Sequence, residues 1–126
     1  MAAGRYSFVI EQGATTNIQI NWTDVSGSAI DLTGYNARMQ VRPAVESSQI
    51  LLSLSSSLQS DNTGINLSGS NFNTPLQSGS LAIYISATSS SLLNFGEGFY
   101  DLELEKQGEV TRLIEGKIKL SKNVTR

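Results

Sequence analysis

The sequence contains no cysteine and no histidine among its 126 residues. Without cysteine the chain forms no disulfides and has no thiolate chemistry. Without histidine it lacks the commonest general base and the commonest side-chain metal ligand. We therefore expect a protein that is not an enzyme, with no catalytic residues, no metal ligands and no cofactor.

Strong positive charge and long apolar runs are also missing. The net charge is −2 and the pI is about 5.0, whereas phosphate binding needs clustered lysine and arginine. No segment approaches the roughly 18 apolar residues of a membrane helix, and "MAAGRYSFVI" lacks the apolar run of a signal peptide. We expect neither nucleic acid nor a membrane as partner, and a single domain over residues 1–126.

Short runs of alternating apolar and polar residues recur along the chain, separated by Gly, Ser, Asn and Asp. This pattern is typical of an all-β protein. Seven or eight short strands with almost no helix predict an antiparallel β-sandwich, and a small barrel is the alternative. The predicted strands cover residues 5–12, 16–24, 35–42, 49–57, 64–69 and 80–87, followed by a hairpin over residues 98–121.

Within these strands one face is apolar. Ile18, Ile20 and Trp22 share a face, and Trp22 is predicted to anchor the core. A second apolar face holds Tyr35, Ala37, Met39 and Val41, and a third holds Leu81, Ile83 and Ile85. Pro43 is expected to end its strand because it removes a ladder donor. "TSSSLLNF" (residues 88–95) is expected to form one helical turn, capped by Thr88 or Ser89, or an irregular loop.

The hairpin is predicted to turn at Gln107-Gly108, because glycine at the second loop position suits a type I′ turn. That register places Glu103 opposite Arg112 and Leu102 opposite Leu113. The apolar phase then changes, so Gly116 is interpreted as a bulge or bend. The alternative is that Ile114, and not Leu113, is the buried residue.

Acidic side chains form two patterns that resemble functional sites. Asp101, Glu103 and Glu105 alternate along one strand and share one face, and we interpret them as the solvated side of the hairpin and not as a glycosidase pair. The loop "SDNTGIN", with Asp61 and two asparagines, lacks the spacing of a calcium loop and favours a turn. It lies in a Ser- and Asn-rich middle, residues 55–80, which either forms long turns around a weak strand or is partly disordered.

Basic side chains provide the candidate contact sites. Arg38 and Arg42 lie on the polar face of one strand, where they either bind a partner's carboxylates or pair with an acid in the same sheet. The C-terminal segment carries four cations, interpreted as lysines that protect an edge strand or as a tail that docks into an acidic neighbour. The candidate interface residues are Arg38, Arg42, Glu103, Arg112, Lys117, Lys119, Lys122 and Arg126.

Four stretches together resemble a family of small structural proteins of tailed phages. They are residues 10–15 ("IEQGAT"), 22–42 (including "IDLTGYNARMQVR"), 51–54 ("LLSL") and 100–118 ("YDLELEKQGEVTRLIEGKI"). The match covers nearly the whole chain, although the Ser- and Asn-rich middle is longer than in the family. The chain is also similar to the N-terminal domain of siphophage upper baseplate proteins, which implies an immunoglobulin-like β-sandwich.

The resemblance implies a non-enzymatic virion component made in the host cytoplasm. Its expected partners are other proteins of the tail or baseplate, and it is expected to form a homo-oligomer or a symmetric repeat. The alternatives are a decoration protein of the capsid or neck, and a module that binds a host receptor or carbohydrate. A carbohydrate site needs exposed aromatic rings, and Tyr84 and Phe99 are in strand phase, which is compatible with burial in the core.

Overall fold

The computed structural model describes residues 4–125, and these residues form nine strands and very little helix. The strands are β1 (Gly4–Arg5), β2 (Phe8–Glu11), β3 (Thr16–Asn21), β4 (Asn36–Arg42), β5 (Leu52–Ser55), β6 (Gly64–Asn66), β7 (Ser80–Ile85), β8 (Glu97–Lys106) and β9 (Glu109–Ser121). A short helix, α1 (Ala87–Ser91), follows β7, and a 3-10 turn covers Leu76–Ser78.

The strands form two sheets. The larger sheet has the order β1-β9-β8-β4-β5, with β2 also paired to β9, and the smaller sheet has the order β3-β7-β6. In the lettering used for immunoglobulin domains, β1 and β2 together are strand A, β3 is B, β4 is C, β5 is C′, β6 is D, β7 is E, β8 is F and β9 is G. The two sheets are then A-G-F-C-C′ and B-E-D. This is the strand order of an immunoglobulin-like sandwich, so the all-β sandwich architecture is confirmed.

One apolar cluster fills the space between the sheets. Alternate residues of each strand point inward, as the pleat requires. The predicted inward faces are confirmed: Met39 and Val41 on β4 and Leu81, Ile83 and Ile85 on β7 are almost fully buried. Tyr35 and Trp22 are only partly buried and pack at the margin of the cluster, edge to face at 5.3 Å between ring centroids.

The N-terminal segment differs from the single strand predicted over residues 5–12. It divides into β1 and β2, and both pair with β9 in parallel. At the division the Tyr6 carbonyl occupies the space where Gly116 has no side chain, so a Cβ at Gly116 would collide with it. The Tyr100 hydroxyl donates to the same carbonyl at 2.5 Å, and burial raises the pKa of that phenol. Gly116 therefore allows a close backbone approach and is not a bulge.

The β8–β9 hairpin confirms the predicted turn. Gln107 and Gly108 have φ of 52° and 86°, and positive φ at both central residues defines a type I′ turn. Glu103 lies opposite Arg112 as predicted, but Leu102 lies opposite Ile114. The prediction of a Leu102–Leu113 pair is wrong because the ladder shifts by one residue at Leu113. The bulge moves Ile114 to the inward side and so changes the apolar phase before Gly116 is reached.

The segment over residues 55–80 contains β6 within a series of hydrogen-bonded turns. The Gln59 amide donates to the Thr63 carbonyl, the Asn62 amide to the Gln59 carbonyl and the Thr74 amide to the Ser68 carbonyl. Gly64 packs so closely against the Ser55 carbonyl and the Leu58 side chain that a Cβ would collide with them. The start of β6 therefore lies against the end of β5. The arrangement agrees with long turns around a short strand.

Helix α1 is joined to the N-terminal turn by one buried hydroxyl. Its N-cap is Ser86, whose side chain accepts from the Ser89 amide at 3.0 Å, so the prediction of Thr88 or Ser89 as cap is wrong. Ser90 is fully buried. Its hydroxyl accepts from the Gly13 amide at 3.0 Å and lies 2.8 Å from the Ala14 carbonyl, to which it donates. The residue thus connects the β2–β3 turn to the β7–β8 connection.

Replacing Ser90 by alanine is expected to destabilise the fold by about 1–3 kcal/mol, because it removes the two hydrogen bonds to Gly13 and Ala14, each worth about 0.5–1.5 kcal/mol. The free energy of unfolding, measured by urea titration, checks this expectation. Ser91→Ala is the matched control, since Ser91 is exposed and bonds only to the Thr88 carbonyl of its own helix. Equal losses for the two variants would contradict the role assigned to Ser90.

Candidate functional site

The outward side of the larger sheet carries most of the predicted contact residues. Cross-strand partners point to the same side of a sheet, so the register places three rows of side chains on one surface. We call this surface the charged face. It consists of Arg38, Gln40 and Arg42 from β4, Phe99, Asp101, Glu103 and Glu105 from β8, and Arg112, Glu115, Lys117 and Lys119 from β9.

Three ion pairs cross the charged face. The Arg38 Nε atom lies 3.0 Å from Glu103 Oε1, and Arg112 reaches Asp101 at 3.5 Å and Glu115 at 3.4 Å. The sequence left open whether Arg38 binds a partner or an acid in its own sheet, and the structure shows the pair within the sheet. Such half-exposed pairs stabilise a fold by about 0–1 kcal/mol.

A cleft of about 640 Å³ lies on this face, between the N-terminal segment, β9, β8 and the start of the β4–β5 loop. Phe99 and Tyr100 contribute apolar surface, and Val45 approaches from the loop. The Arg42 guanidinium is fixed at the wall, because it donates to the Ser47 carbonyl at 2.6 Å and to Gln40 Oε1 at 2.9 Å. The cleft is therefore a shallow depression in a sheet surface with at least one preoriented cation.

The charges around the cleft are unevenly paired. The acids Asp101, Glu103 and Glu115 each have a basic partner within 4 Å. Within residues 4–125, the cations Arg5, Arg42 and Lys117 form no such ion pair, and all three line the cleft. The Lys117 ammonium instead lies over the Phe99 ring, 5.4 Å from its centroid, a cation–π contact. The positive charge of the cleft is thus in part uncompensated.

Asp101 has an unusual environment at the centre of this face. Burial raises the pKa of its carboxyl, the neighbouring Glu103 raises it further, and Arg112 opposes both effects. The ionised carboxylate is therefore less favourable in the folded chain than in water. A cation or a hydrogen-bond donor brought by a partner would stabilise it.

The predicted contact residues do not all belong to one site. Arg38, Arg42, Glu103, Arg112, Lys117 and Lys119 share the charged face. Lys122 follows the end of β9 and is exposed beside it, while Arg126 lies outside the described residues. Sequence reasoning missed Arg5, because only the parallel pairing of β1 with β9 brings it opposite Glu115.

Asp61, the acid of the possible calcium loop, has a structural role. Its carboxylate accepts from the Ser86 hydroxyl at 2.5 Å, the Ser89 hydroxyl at 2.6 Å and the Thr63 amide at 3.0 Å. These hydrogen bonds, led by the one from Ser86, hold the pKa of the carboxyl well below its usual range. The loop is a turn attached to helix α1, as the sequence favoured.

The two aromatic residues considered for sugar stacking are half-buried on the outer faces, not in the core. Tyr84 lies on the outer side of the smaller sheet, where the Phe72 ring meets it edge to face at 5.1 Å. Phe99 is covered by the Lys117 side chain. Both rings already have a partner on one side.

Two other kinds of site, a metal site and a membrane-spanning helix, are absent from the described part of the chain. Residues 4–125 hold no group of three acidic or other metal-ligating side chains placed to bind a metal ion. No helix among them is long and apolar enough to cross a membrane.

Comparison with known proteins gives a likeness of fold. No protein-family model and no curated protein sequence matches the chain. Among solved structures, the chain is similar to a VGSC beta subunit, from work on the multimeric cell-adhesive interactions of these subunits. The identity is 16%, the TM-score is 0.49, and the match covers 98% of this chain and 96% of that chain. A likeness of this size carries no argument about family or function.

Replacing Asp101 by asparagine is expected to leave the fold at neutral pH as stable as the wild type or more stable. A raised pKa means that ionisation of Asp101 lowers stability as pH rises above the usual aspartate value of about 3.9. Asparagine avoids this loss, so the difference between variant and wild type should grow from pH 3 to pH 7. Urea titrations of both proteins across that range check it. A variant that becomes less stable than the wild type as pH rises would show that the ion pair between Asp101 and Arg112 dominates.

Proposed function

We propose that the chain is a non-enzymatic structural module of a tailed-phage virion that docks onto tail or baseplate proteins. Two independent lines support the proposal. The resemblance in sequence covers nearly the whole chain, including "IDLTGYNARMQVR", which forms the approach to β4 and β4 itself. The structure adds a broad charged face formed by the same strand and by the β8–β9 hairpin.

The uncompensated cations of the cleft carry the argument for docking. Arg42 is held in place by two hydrogen bonds, and Arg5 and Lys117 project beside it without an acidic partner among residues 4–125. Arginine presents a planar fork that binds carboxylates bidentately. A protein surface with Asp or Glu side chains at matching positions therefore fits this cleft.

Docking to such a surface combines two physical contributions. The exposed charges speed association and fix orientation, and they act over about 8–10 Å at physiological salt. Val45, which is largely exposed at the rim of the cleft, supplies apolar area that a partner can bury. The internal pairs Arg38–Glu103 and Arg112–Asp101 hold the remaining side chains in position.

Two alternatives lead to different partners. A decoration protein of the capsid or neck would use the same chemistry on another virion surface. A carbohydrate-binding module would need open aromatic rings, whereas Tyr84 and Phe99 are each covered on one side by a neighbour. The arrangement therefore favours a protein partner.

Reversing the charge of Arg42 (Arg42→Glu) is expected to weaken binding to purified tails by about tenfold, because it places a carboxylate against the partner's acidic surface. Co-sedimentation with tail particles at low and high salt checks this, and wild-type binding should also fall with salt. Lys106→Glu is the matched control. It changes the net charge equally, but Lys106 lies over the Tyr35 ring at another part of the fold.

Mass spectrometry of purified particles from the phage that encodes the chain provides the direct test. The chain should be present in whole virions and in isolated tails. Presence on capsids but not on tails would favour the decoration protein. Absence from all particles would refute a virion role.

A further inference from the structure

One edge of the smaller sheet has no neighbouring strand. In immunoglobulin-like sandwiches with the order A-B-E-D, the first strand covers the outer edge of strand B. Here both N-terminal strands pair with β9, and β3, in position B, pairs with β7 alone. The edge of β3 is open along its six residues, Thr16–Asn21.

The direction of the backbone groups on β3 follows from one hydrogen bond. The Trp22 amide donates to the Gly79 carbonyl at 2.8 Å, which continues the register that pairs Ile20 with Leu81. In an antiparallel pair, alternate residues direct both backbone groups to the neighbour. Even-numbered residues therefore face β7, and Asn17, Gln19 and Asn21 direct their amides and carbonyls outward, where no backbone group of residues 4–125 bonds to them.

The β3 edge also lacks the features that normally prevent pairing. Proteins protect edge strands with lysines, prolines, bulges or very short length. The sequence "TNIQIN" contains no charge and no proline, and its pairing with β7 has no register shift. The edge strands β5 and β6 are shorter, with four and three residues, and β6 begins at Gly64, which is packed against the Ser55 carbonyl.

The side chains of β3 leave the sandwich incompletely closed at this margin. Ile18 and Ile20 point to the core but are only partly buried, unlike the fully buried Ile83 and Leu81 opposite them on β7. An added strand with apolar residues in phase would cover them. On the outer side Asn17, Gln19 and Asn21 carry neutral amides, and Ser70 is hydrogen-bonded to Asn17 and Gln19.

We infer that this edge pairs with the same edge of a second copy of the chain, in an antiparallel arrangement about a twofold axis. This goes beyond the proposed docking function and rests on none of its residues. Directly opposite residues must point to the same side, and a twofold axis at Gln19 meets that condition. Gln19 then faces Gln19, Ile18 faces Ile20, and Asn17 faces Asn21 of the other copy.

The composition of β3 favours a second copy as the occupant. A charged edge repels itself in such a pairing, and β3 is neutral. Amide side chains carry both donors and acceptors. Within the chain Asn17 uses its Nδ2 and Asn21 its Oδ1, so the Asn21 Nδ2 can donate to the Asn17 Oδ1 of the other copy. Apolar residues meet apolar residues on the inner side in the same register, and the three-stranded sheets of two copies become one six-stranded sheet.

Two variants that differ only in the sign of one charge test this pairing. Asn17→Lys/Asn21→Lys places like charges opposite each other twice in the dimer, whereas Asn17→Lys/Asn21→Glu places opposite charges there twice. Both variants replace the Asn17 amide that donates to the Ser70 carbonyl, but at position 21 glutamate can still accept from Ser80 and Gln19 and lysine cannot. The free energy of unfolding of each variant is therefore measured alongside its association. Sedimentation equilibrium should show a wild-type dimer, a dissociation constant raised by about tenfold or more in the first variant, and restored association in the second.

Amide hydrogen exchange adds a readout at the edge itself. The amides of Asn17, Gln19 and Asn21 should exchange quickly at low concentration and slowly at high concentration, while the even-numbered amides stay protected throughout. A wild-type chain that is monomeric up to millimolar concentration overturns the inference. So does a dimer that responds equally to the two variants or leaves the three amides unprotected.

Discussion

The register of the β8–β9 hairpin determines what the larger sheet presents to solvent. Its two strands form the centre of the sheet, and a slip of one residue would exchange their inner and outer faces. The type I′ turn at Gln107 and Gly108 sets which residues pair at the turn end of the hairpin. The bulge at Leu113 then shifts the pairing by one residue. Because of that single shift, Arg112 stays outside with Glu103 while Ile114 reaches the core side opposite Leu102. The charged face and the core are two results of the same register.

The N-terminal segment links this register to the smaller sheet. Gly116 leaves room for the Tyr6 carbonyl, and the Tyr100 hydroxyl, directed from the neighbouring strand, bonds to it. These contacts keep the first strands on β9, where Phe8 and Ile10 enter the core. A strand held on β9 is not available to β3. The arrangement that brings Arg5 to the cleft therefore also leaves the edge of β3 open.

Local patterns were sufficient to predict much of this fold. Alternation identified the inward residues of β4 and β7, and the Gln-Gly dipeptide identified the turn, because both signals depend on neighbours in sequence. The parallel pairing of β1 and β2 depends on contacts more than 100 residues apart in sequence, as between Gly4 and Ile114. No alternation pattern contains that information. Arg38 and Glu103 were identified as contact candidates from their own strands. Their mutual pairing was left open and Arg5 was missed, because both depend on contacts between segments distant in sequence.

The two proposed contact surfaces differ in the groups that they offer to a partner. In the proposed docking role the charged face acts through side chains, so the positions of a partner's carboxylates around Arg42 and Lys117 would select it, and the contacts would weaken with salt. The β3 edge depends on backbone groups, which every polypeptide has, so its selectivity comes from the phase of Ile18 and Ile20 and from the absence of charge. The surfaces lie on different sheets and share no residue. If both proposals hold, the chain pairs with its own copy through one sheet and with a different protein through the other, as a repeated adaptor in a symmetric assembly requires.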